Sequence, residues 1–232
     1  MLTLFHSPQS RSSAIMVLIE EMGIQDWIDT RLVSIPRVDG TGHRDPANPH
    51  PEGKVPALLH DGQLITERGA IMLHLTTLFP DTGLSPQIGT ADWGKLVSWL
   101  TWYQGVLEPV VIFEAAGITH PWLDATFRDH KAAAARIRAA LENGPWLLGE
   151  QFSAADLLIH GPYAFFPDAT PDDPLIRDWV ARCKARPARA KVAATDVARM
   201  AQAAASSKSA NCRRDKNPYN KFHLGYQIVY SI

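Results

Sequence analysis

The stretch from residue 48 to residue 58 reads Asn-Pro-His-Pro-Glu-Gly-Lys-Val-Pro-Ala-Leu, and its second half decides how the first part of the chain folds. An apolar run of strand length, 55–60, contains Pro56 near its start, although proline is normally excluded from a strand interior. A special turn is therefore predicted before this strand. If the Val55–Pro56 bond is cis, the Val55 backbone N–H and C=O face outward and can pair with a peptide-like ligand; a trans bond, the commoner form, leaves an ordinary strand start.

The segments on both sides of this stretch predict further strands and helices. A short apolar run at 2–5 is followed by helical spacing at 15–22, and a loose alternation at 27–35 indicates a second strand. Asp61-Gly62 lies between two short apolar runs and predicts a hairpin. A helical stripe then occupies 67–78. The predicted order is βαβ, loop, ββα.

The chain is predicted to contain two domains and a tail. Residues 1–80 form the α/β domain, and a Pro- and Gly-containing linker leads to an all-helical domain over 90–205. Residues 206–232 change abruptly to Lys, Asn, Arg and Tyr without periodicity; we expect a tail that is disordered or was added to the protein, and assign it no function. Helices of the second domain are predicted at 91–113, 121–142, 153–166, 174–186 and 188–205.

Composition restricts the class of ligand. The 232 residues carry a formal net charge of -1, which gives no electrostatic reason to expect nucleic acid or an anionic membrane as partner. The two cysteines, Cys183 and Cys212, have no metal-ligand or C-x-x-C spacing, so neither a metal site nor a disulfide framework is predicted. The amino terminus lacks a signal-peptide pattern, and we find no apolar stretch approaching the roughly 20 residues of a membrane span. We expect a cytoplasmic protein that binds a small molecule.

Three serines in the first turn are candidate catalytic residues. Ser7, Ser10 and Ser12 follow the first strand and precede the first helix, where backbone N–H groups lack partners and the helix end is positive. A ligand thiol placed there is stabilised as thiolate, and a serine hydroxyl that donates to sulfur adds to this effect. The alternative is that one serine caps the helix and the others are exposed.

Two later positions combine an acidic residue with a helix start. Glu67 opens a helix and can accept hydrogen bonds from an ammonium group, or it can simply compensate the helix end. Ser153-Ala-Ala-Asp156 precedes an apolar run and forms a capping box, which we interpret as structural. Such a cap contributes about 1 kcal/mol to stability.

Taken in order, these motifs resemble the serine-type, cytosolic members of the glutathione S-transferase superfamily. The most specific pieces are 48–58, the Thr-Glu-x-x-Ala-Ile at 66–71 and the Phe-Ser-Ala-Ala-Asp at 152–156, and the resemblance covers about 2–186. It implies a thioredoxin-like amino-terminal domain followed by an all-helical domain. It also implies glutathione as co-substrate and a symmetric homodimer.

The resemblance assigns roles to residues of the first domain. Pro56 is expected to be cis, with the Val55 backbone pairing with the cysteinyl part of glutathione, Lys54 facing the glycyl carboxylate and Glu67 holding the γ-glutamyl end. Ser7 matches the position of the catalytic serine, and Ser10 and Ser12 are close enough in sequence to replace it.

The sequence departs from the family pattern in two places. Arg68 stands where the family usually has a serine after the glutamate, so it either binds the γ-glutamyl carboxylate through its guanidinium or fills the site. The first turn also lacks the cysteine of thiol-transferring members, which argues against disulfide exchange through a thiol of the protein itself.

The resemblance implies that a second, apolar substrate binds between the domains, beside the first helix of the helical domain. Trp102 and Tyr103 share a face of that helix with Trp99 and are candidates for the pocket wall; the alternative is that they belong to the core or to a subunit interface. The expected activity is conjugation of glutathione to an electrophile, as in detoxification, with hydroperoxide reduction as a further activity. Two alternatives remain open: a non-catalytic binding module, and a glutathione-dependent isomerase, dehalogenase or ether-cleaving enzyme.

Overall fold

A computed structural model describes residues 1–214, with side chains described as far as Gln202. Helix continues past the start of the predicted tail to Arg214. The predictions made for residues 215–232 lie outside the described part of the chain.

The described chain consists of four β-strands and ten α-helices in an order that begins βαβ-ββα. The strands are β1 (Leu2–His6), β2 (Ile28–Leu32), β3 (Ala57–His60) and β4 (Gln63–Thr66). The helices are α1 (Ser13–Met22), α2 (Arg68–Leu78), α3 (Ala91–Trp102), α4 (Glu108–Ala115), α5 (Pro121–Phe127), α6 (His130–Leu141), α7 (Ala154–Ile159), α8 (Gly161–Phe165), α9 (Pro174–Lys184) and α10 (Pro187–Arg214).

By their internal contacts the residues group into two compact units. The first, which we call the sheet unit, contains Met1–Ser13, Trp27–Thr66 and the described residues 191–214. The second, the helical unit, contains Ala14–Asp26 and Glu67–Ala190. Each unit is described by itself below.

The sheet unit is built around strand β1. The strand order is β2-β1-β3-β4; β1 is parallel to β2 and antiparallel to β3, and β3 and β4 form an antiparallel hairpin. All five residues of β1 are buried, as expected for a central strand. The predicted hairpin is confirmed: Asp61 and Gly62 both have positive φ, 49° and 83°, as a two-residue type I′ turn requires. The predicted thioredoxin-like βαβ-ββα order followed by helices is confirmed.

Two of the predicted helices are each divided in two. The helix predicted at 121–142 is broken at Arg128, which has φ 63° and ends α5. The helix predicted at 153–166 is broken at His160, and Pro162 is the second residue of the short helix α8. Proline is tolerated in a first helical turn because its missing N–H would have no partner there.

The helix predicted at 91–113 contains an irregular turn. Residues Tyr103–Leu107 between α3 and α4 are π-helical, and the Glu108 N–H donates to the Tyr103 carbonyl, five residues back. Pro109 supplies a physical reason, because it has no N–H for the Gly105 carbonyl and its ring would clash there. Such widened turns often occur at functional sites.

The continuous helical stretch Ala91–Ala115 is long and apolar enough to cross a membrane by length and composition alone. The expectation that no stretch approaches this length is therefore wrong. Leu96, Leu100 and Leu107 on this stretch are at most 2% exposed, and a buried core helix passes the same test.

The capping box of α7 is confirmed, and its carboxylate also holds residues outside α7. Asp156 is fully buried and accepts hydrogen bonds from the Ser153 N–H (3.0 Å) and hydroxyl (2.9 Å), the Leu147 N–H (2.9 Å) and the Trp179 indole N–H (2.9 Å). Burial raises the pKa of Asp156, although these hydrogen bonds oppose the shift. One side chain thus joins a loop, α7 and α9.

We predict that Asp156→Ala lowers the free energy of unfolding by about 3 kcal/mol or more, because four buried donors lose their acceptor. Ser153→Ala is the matched control, and its loss should stay near ~1 kcal/mol. Urea denaturation measures both values. Equal losses in the two variants would contradict the central role of Asp156.

His160 is a second buried polar group of the helical unit. Its Nε2 lies 3.1 Å from Nη1 of Arg189, and its Nδ1 lies 2.8 Å from the Asp156 carbonyl oxygen. Because a guanidinium can only donate, Nε2 accepts and the ring proton is on Nδ1. Burial, with the charge of Arg189, lowers the pKa of His160 to about 4.

This lowered pKa makes stability depend on pH. The unfolded histidine has a pKa of 6.5 and the folded one about 4, so between these values the unfolded chain binds more protons. The contribution of His160 to the free energy of unfolding is fully present above pH 6.5 and is lost as the pH drops toward 4. We predict that the wild type loses about 2 kcal/mol more than His160→Gln between about pH 7.5 and about pH 5, measured by urea denaturation. Parallel pH profiles would exclude a buried neutral His160.

Candidate active site

The turn between β1 and α1 brings the three candidate serines together. Ser10 Oγ donates to the Ser7 carbonyl oxygen (2.7 Å) and lies 2.8 Å from Ser12 Oγ. The Ser7 N–H donates to Ser12 Oγ (3.1 Å). Gln9 has φ 51°, an uncommon value for a residue with a side chain, so the turn is held in a conformation that needs these bonds.

A buried chain of hydrogen bonds anchors this turn to α10. His6 Nδ1 lies 2.7 Å from Ser12 Oγ, and His6 Nε2 lies 3.0 Å from an oxygen of Asp196. The other Asp196 oxygen accepts from the Gln9 N–H (2.8 Å) and the Ser13 hydroxyl (2.6 Å). Burial acts to raise the pKa of Asp196, but the hydrogen bonds outweigh it and hold that pKa below its ordinary value.

The Ser12–His6–Asp196 arrangement has the residue types of a hydrolytic triad, but not its accessibility. Ser12 and His6 are fully buried and Asp196 is 2% exposed. A nucleophile must reach its substrate, and this hydroxyl has no exposed surface. The network therefore fixes the turn instead of attacking a substrate.

Ser7 differs from the other two serines because it contacts a cation. Nη2 of Arg37 donates to Ser7 Oγ (3.2 Å) and to the Pro8 carbonyl oxygen (2.7 Å), and Nη1 donates to the Gln9 carbonyl oxygen (3.3 Å). Ser7 is 3% exposed, whereas Ser12 has no exposed surface; since Ser7 Oγ accepts from Arg37, its own proton can be donated to a ligand that reaches it. Among the described residues, no carboxylate lies within ion-pair distance of Arg37.

Arg37 was not predicted from the sequence, although a signal was present. Arg37 follows β2, which is parallel to β1, and the carboxyl ends of parallel strands meet at one edge of a sheet. A charged residue shortly after β2 is therefore placed beside the turn that follows β1.

The loop before β3 contains the predicted ligand-pairing segment. The Val55–Pro56 bond is cis, and Asn48 Nδ2 donates to the Lys54 carbonyl oxygen (3.0 Å). Within residues 1–214 no hydrogen bond is made by the Val55 backbone N–H or C=O. The Lys54 side chain is exposed and paired with Glu52.

Glu67 and Arg68, both in the helical unit, have partners on the stretch that follows α3. Glu67 has φ 70° and ψ 127°, a backbone conformation that costs about 1–3 kcal/mol in a non-glycine residue. Its carboxylate accepts from Nε2 of Gln104 (2.6 Å). Nη2 of Arg68 lies 2.6 Å from both oxygens of Glu108, and its guanidinium carbon is 4.9 Å from the centre of the Tyr103 ring.

The two aromatic residues predicted to line a pocket differ in exposure. Tyr103 is 2% exposed and lies against Arg68, whereas Trp102 is half-buried. Arg136 lies 4.6 Å from the Trp102 ring and 4.7 Å from the Trp99 ring, so these indoles hold a guanidinium between helices of the same unit.

Two observations concern metal binding and thiol reactivity. Among the side chains of residues 1–202 there is no group of three or more His, Cys, Asp or Glu that could hold a metal ion. Burial raises the pKa of the Cys183 thiol, which keeps it protonated and unreactive.

The sheet order, the βαβ-ββα connection and the cis-proline loop before β3 define a thioredoxin-like domain, here followed by helices. Comparison with known proteins agrees. Residues 1–77 match the family described as the glutathione S-transferase N-terminal domain. The crystal structure of a glutathione transferase from Methylococcus capsulatus has the same fold, with a TM-score of 0.66, 26% identity, and coverage of 84% of this chain and 98% of that one.

Two curated proteins add to the comparison. The glutathione S-transferase-like protein OpS6 of Beauveria bassiana is 28% identical over 172 residues, covering 64% of this chain and 76% of that protein. The disulfide-bond oxidoreductase YfcG of Escherichia coli is 26% identical over 206 residues, covering 81% and 92%. Residues 1–77 thus form a domain that matches the glutathione S-transferase N-terminal family, and the chain has the fold of glutathione S-transferases.

The contribution of the Arg68–Glu108 ion pair to the free energy of unfolding can be tested. We predict that Arg68→Met lowers the free energy of unfolding by about 2 kcal/mol, less than the ~3–5 kcal/mol of a fully buried pair because both side chains are partly exposed. The double variant Arg68→Met/Glu108→Met should recover much of this loss, since no lone charge remains. A double-mutant cycle by urea denaturation measures the coupling, and strictly additive losses would contradict it.

Proposed function

We propose that this protein is a glutathione transferase that binds reduced glutathione, stabilises its thiolate and transfers it to an apolar electrophile. The match of residues 1–77 to the glutathione S-transferase N-terminal domain supports glutathione as co-substrate. Reduction of organic hydroperoxides is a further proposed activity of the same thiolate. The observation that carries the proposal is the contact between Arg37 and Ser7.

The Ser7 hydroxyl and the Arg37 guanidinium together suit an anion. Arg37 donates to Ser7 Oγ, which polarises the hydroxyl and strengthens the hydrogen bond that it can donate to sulfur. A positive charge near the sulfur also lowers the pKa of the thiol. The thiol proton passes to solvent, a sulfur lone pair forms the new C–S bond, and the leaving group departs with its electron pair.

The remaining parts of glutathione are proposed to bind as the family resemblance implies. The Val55 backbone pairs with the cysteinyl part beside Pro56, Lys54 meets the glycyl carboxylate, and Glu67 accepts from the γ-glutamyl ammonium group. Arg68 can reach the γ-glutamyl carboxylate only by releasing Glu108.

The second substrate and the assembly are also proposals. Trp102 retains exposed surface for an apolar electrophile, whereas Tyr103 would have to become exposed to take part. We propose a cytoplasmic homodimer. The resemblance to a disulfide-bond oxidoreductase favours one second candidate, in which two glutathiones reduce a small disulfide to two thiols and become glutathione disulfide.

We predict that Ser7→Ala raises the pKa of the bound glutathione thiol by about 1 unit or more and lowers kcat by about 100-fold, because the thiolate loses its donor. Arg37→Met should raise the same pKa. Arg31→Met is the matched control, since Arg31 is exposed and pairs with Asp29. Ultraviolet absorbance of the thiolate across pH measures the pKa, and turnover of a chromogenic aryl halide measures kcat.

Three results would change the proposal. Full turnover in Ser7→Ala with loss in Ser10→Ala would transfer the role to Ser10. An equal pKa shift in Arg37→Met and Arg31→Met would remove Arg37 from the site. Absence of glutathione binding by calorimetry in the wild type would favour the binding-module alternative.

A further inference from the structure

The side-chain amide of Gln104 forms hydrogen bonds with two polar groups at the start of α2, the Gly69 N–H and the Glu67 carboxylate. Its Oε1 accepts from the Gly69 N–H (2.7 Å), and its Nε2 donates to a carboxylate oxygen of Glu67 (2.6 Å). All three residues belong to the helical unit. One amide therefore satisfies a free N–H of the first helical turn and a carboxylate at the same time.

This arrangement depends on glycine at position 69. A Cβ atom built on Gly69 would lie 2.4 Å from Gln104 Oε1 and 3.2 Å from the Leu100 carbonyl oxygen. Any side chain at this position would displace the amide. The close contact between the π-helical turn and α2 therefore requires both Gln104 and Gly69.

The two groups that Gln104 contacts form a donor–acceptor pair of the kind that binds an α-amino acid. A carboxylate such as that of Glu67 accepts from an ammonium group, and an N–H at a helix start donates to a carboxylate. A primary amide has the same polarity pattern, one acceptor and one donor, but no charge.

We propose that Gln104 is an internal competitor for the γ-glutamyl end of glutathione, which must displace its amide in order to bind Glu67 and the Gly69 N–H. The inference rests on the proposed function, in which Glu67 receives the γ-glutamyl ammonium group. Gln104 then weakens the binding of every ligand that uses these contacts, because only those molecules in which the amide has left Glu67 and Gly69 can bind it. It favours ligands with a charged amino-acid end, whose ionic hydrogen bonds are stronger than those of an amide.

The structure allows the amide to leave without disturbing the helix start. Glu108, on the same side of the π-helical turn, holds Arg68 through both carboxylate oxygens. That ion pair does not involve Gln104. Displacement therefore breaks two hydrogen bonds and leaves α2 attached.

The test compares Gln104→Met, which keeps the length without the amide, and Gln104→Asn, which keeps an amide too short to span both groups. Thr101→Ala, an exposed position on α3, is the matched control. Calorimetric titration near neutral pH uses two probes: reduced glutathione, and N-acetylcysteinylglycine, which lacks the amino-acid end. Thermal unfolding of each variant confirms that it is folded.

We expect both Gln104 variants to bind glutathione about five- to tenfold more tightly than the wild type, with N-acetylcysteinylglycine binding unchanged. Binding of glutathione by the Gln104 variants alone would also support the inference. Glutathione binding by the wild type with no gain in either variant overturns the inference and leaves the proposed function standing. Failure of all four proteins to bind glutathione overturns both.

Discussion

The sheet unit depends on the central place of β1. The strand is paired on both sides, parallel to β2 and antiparallel to β3, and every one of its residues is buried. Its direction fixes where the serine turn begins, and its parallel partner brings Arg37 to the same edge. A shift of one residue in either pairing would turn the whole strand over and move the turn away from the arginine.

The helical unit is also held together by buried hydrogen bonds. Two of its buried polar groups join separate segments: Asp156 holds three, and His160 connects the Asp156 carbonyl to Arg189. Because such groups are stable only when fully paired, they specify one packing of the helices. At the start of α2, Gln104 likewise accepts a hydrogen bond from Gly69, and Glu108 pairs with Arg68.

The sequence predicted best those features whose partners are close along the chain. The Asp61-Gly62 hairpin and the Ser153–Asp156 capping box are set within four residues, so local chemistry is sufficient to find them. Arg37, Gln104 and Asp196 were not found, because their contacts span 30, 35 and 190 residues. The irregular turn after α3 was missed although Pro109 was visible, since a proline also fits the first turn of a new helix.

The anchor of the serine turn has a consequence for how the protein is made. His6 and Asp196 are separated by 190 residues, and the same carboxylate fixes Gln9 and Ser13. Because synthesis runs from the amino terminus, His6 leaves the ribosome 190 residues before its partner Asp196. The hydrogen bonds that fix the serine turn therefore form only after Asp196 has been synthesised, in a step that joins residues 190 positions apart.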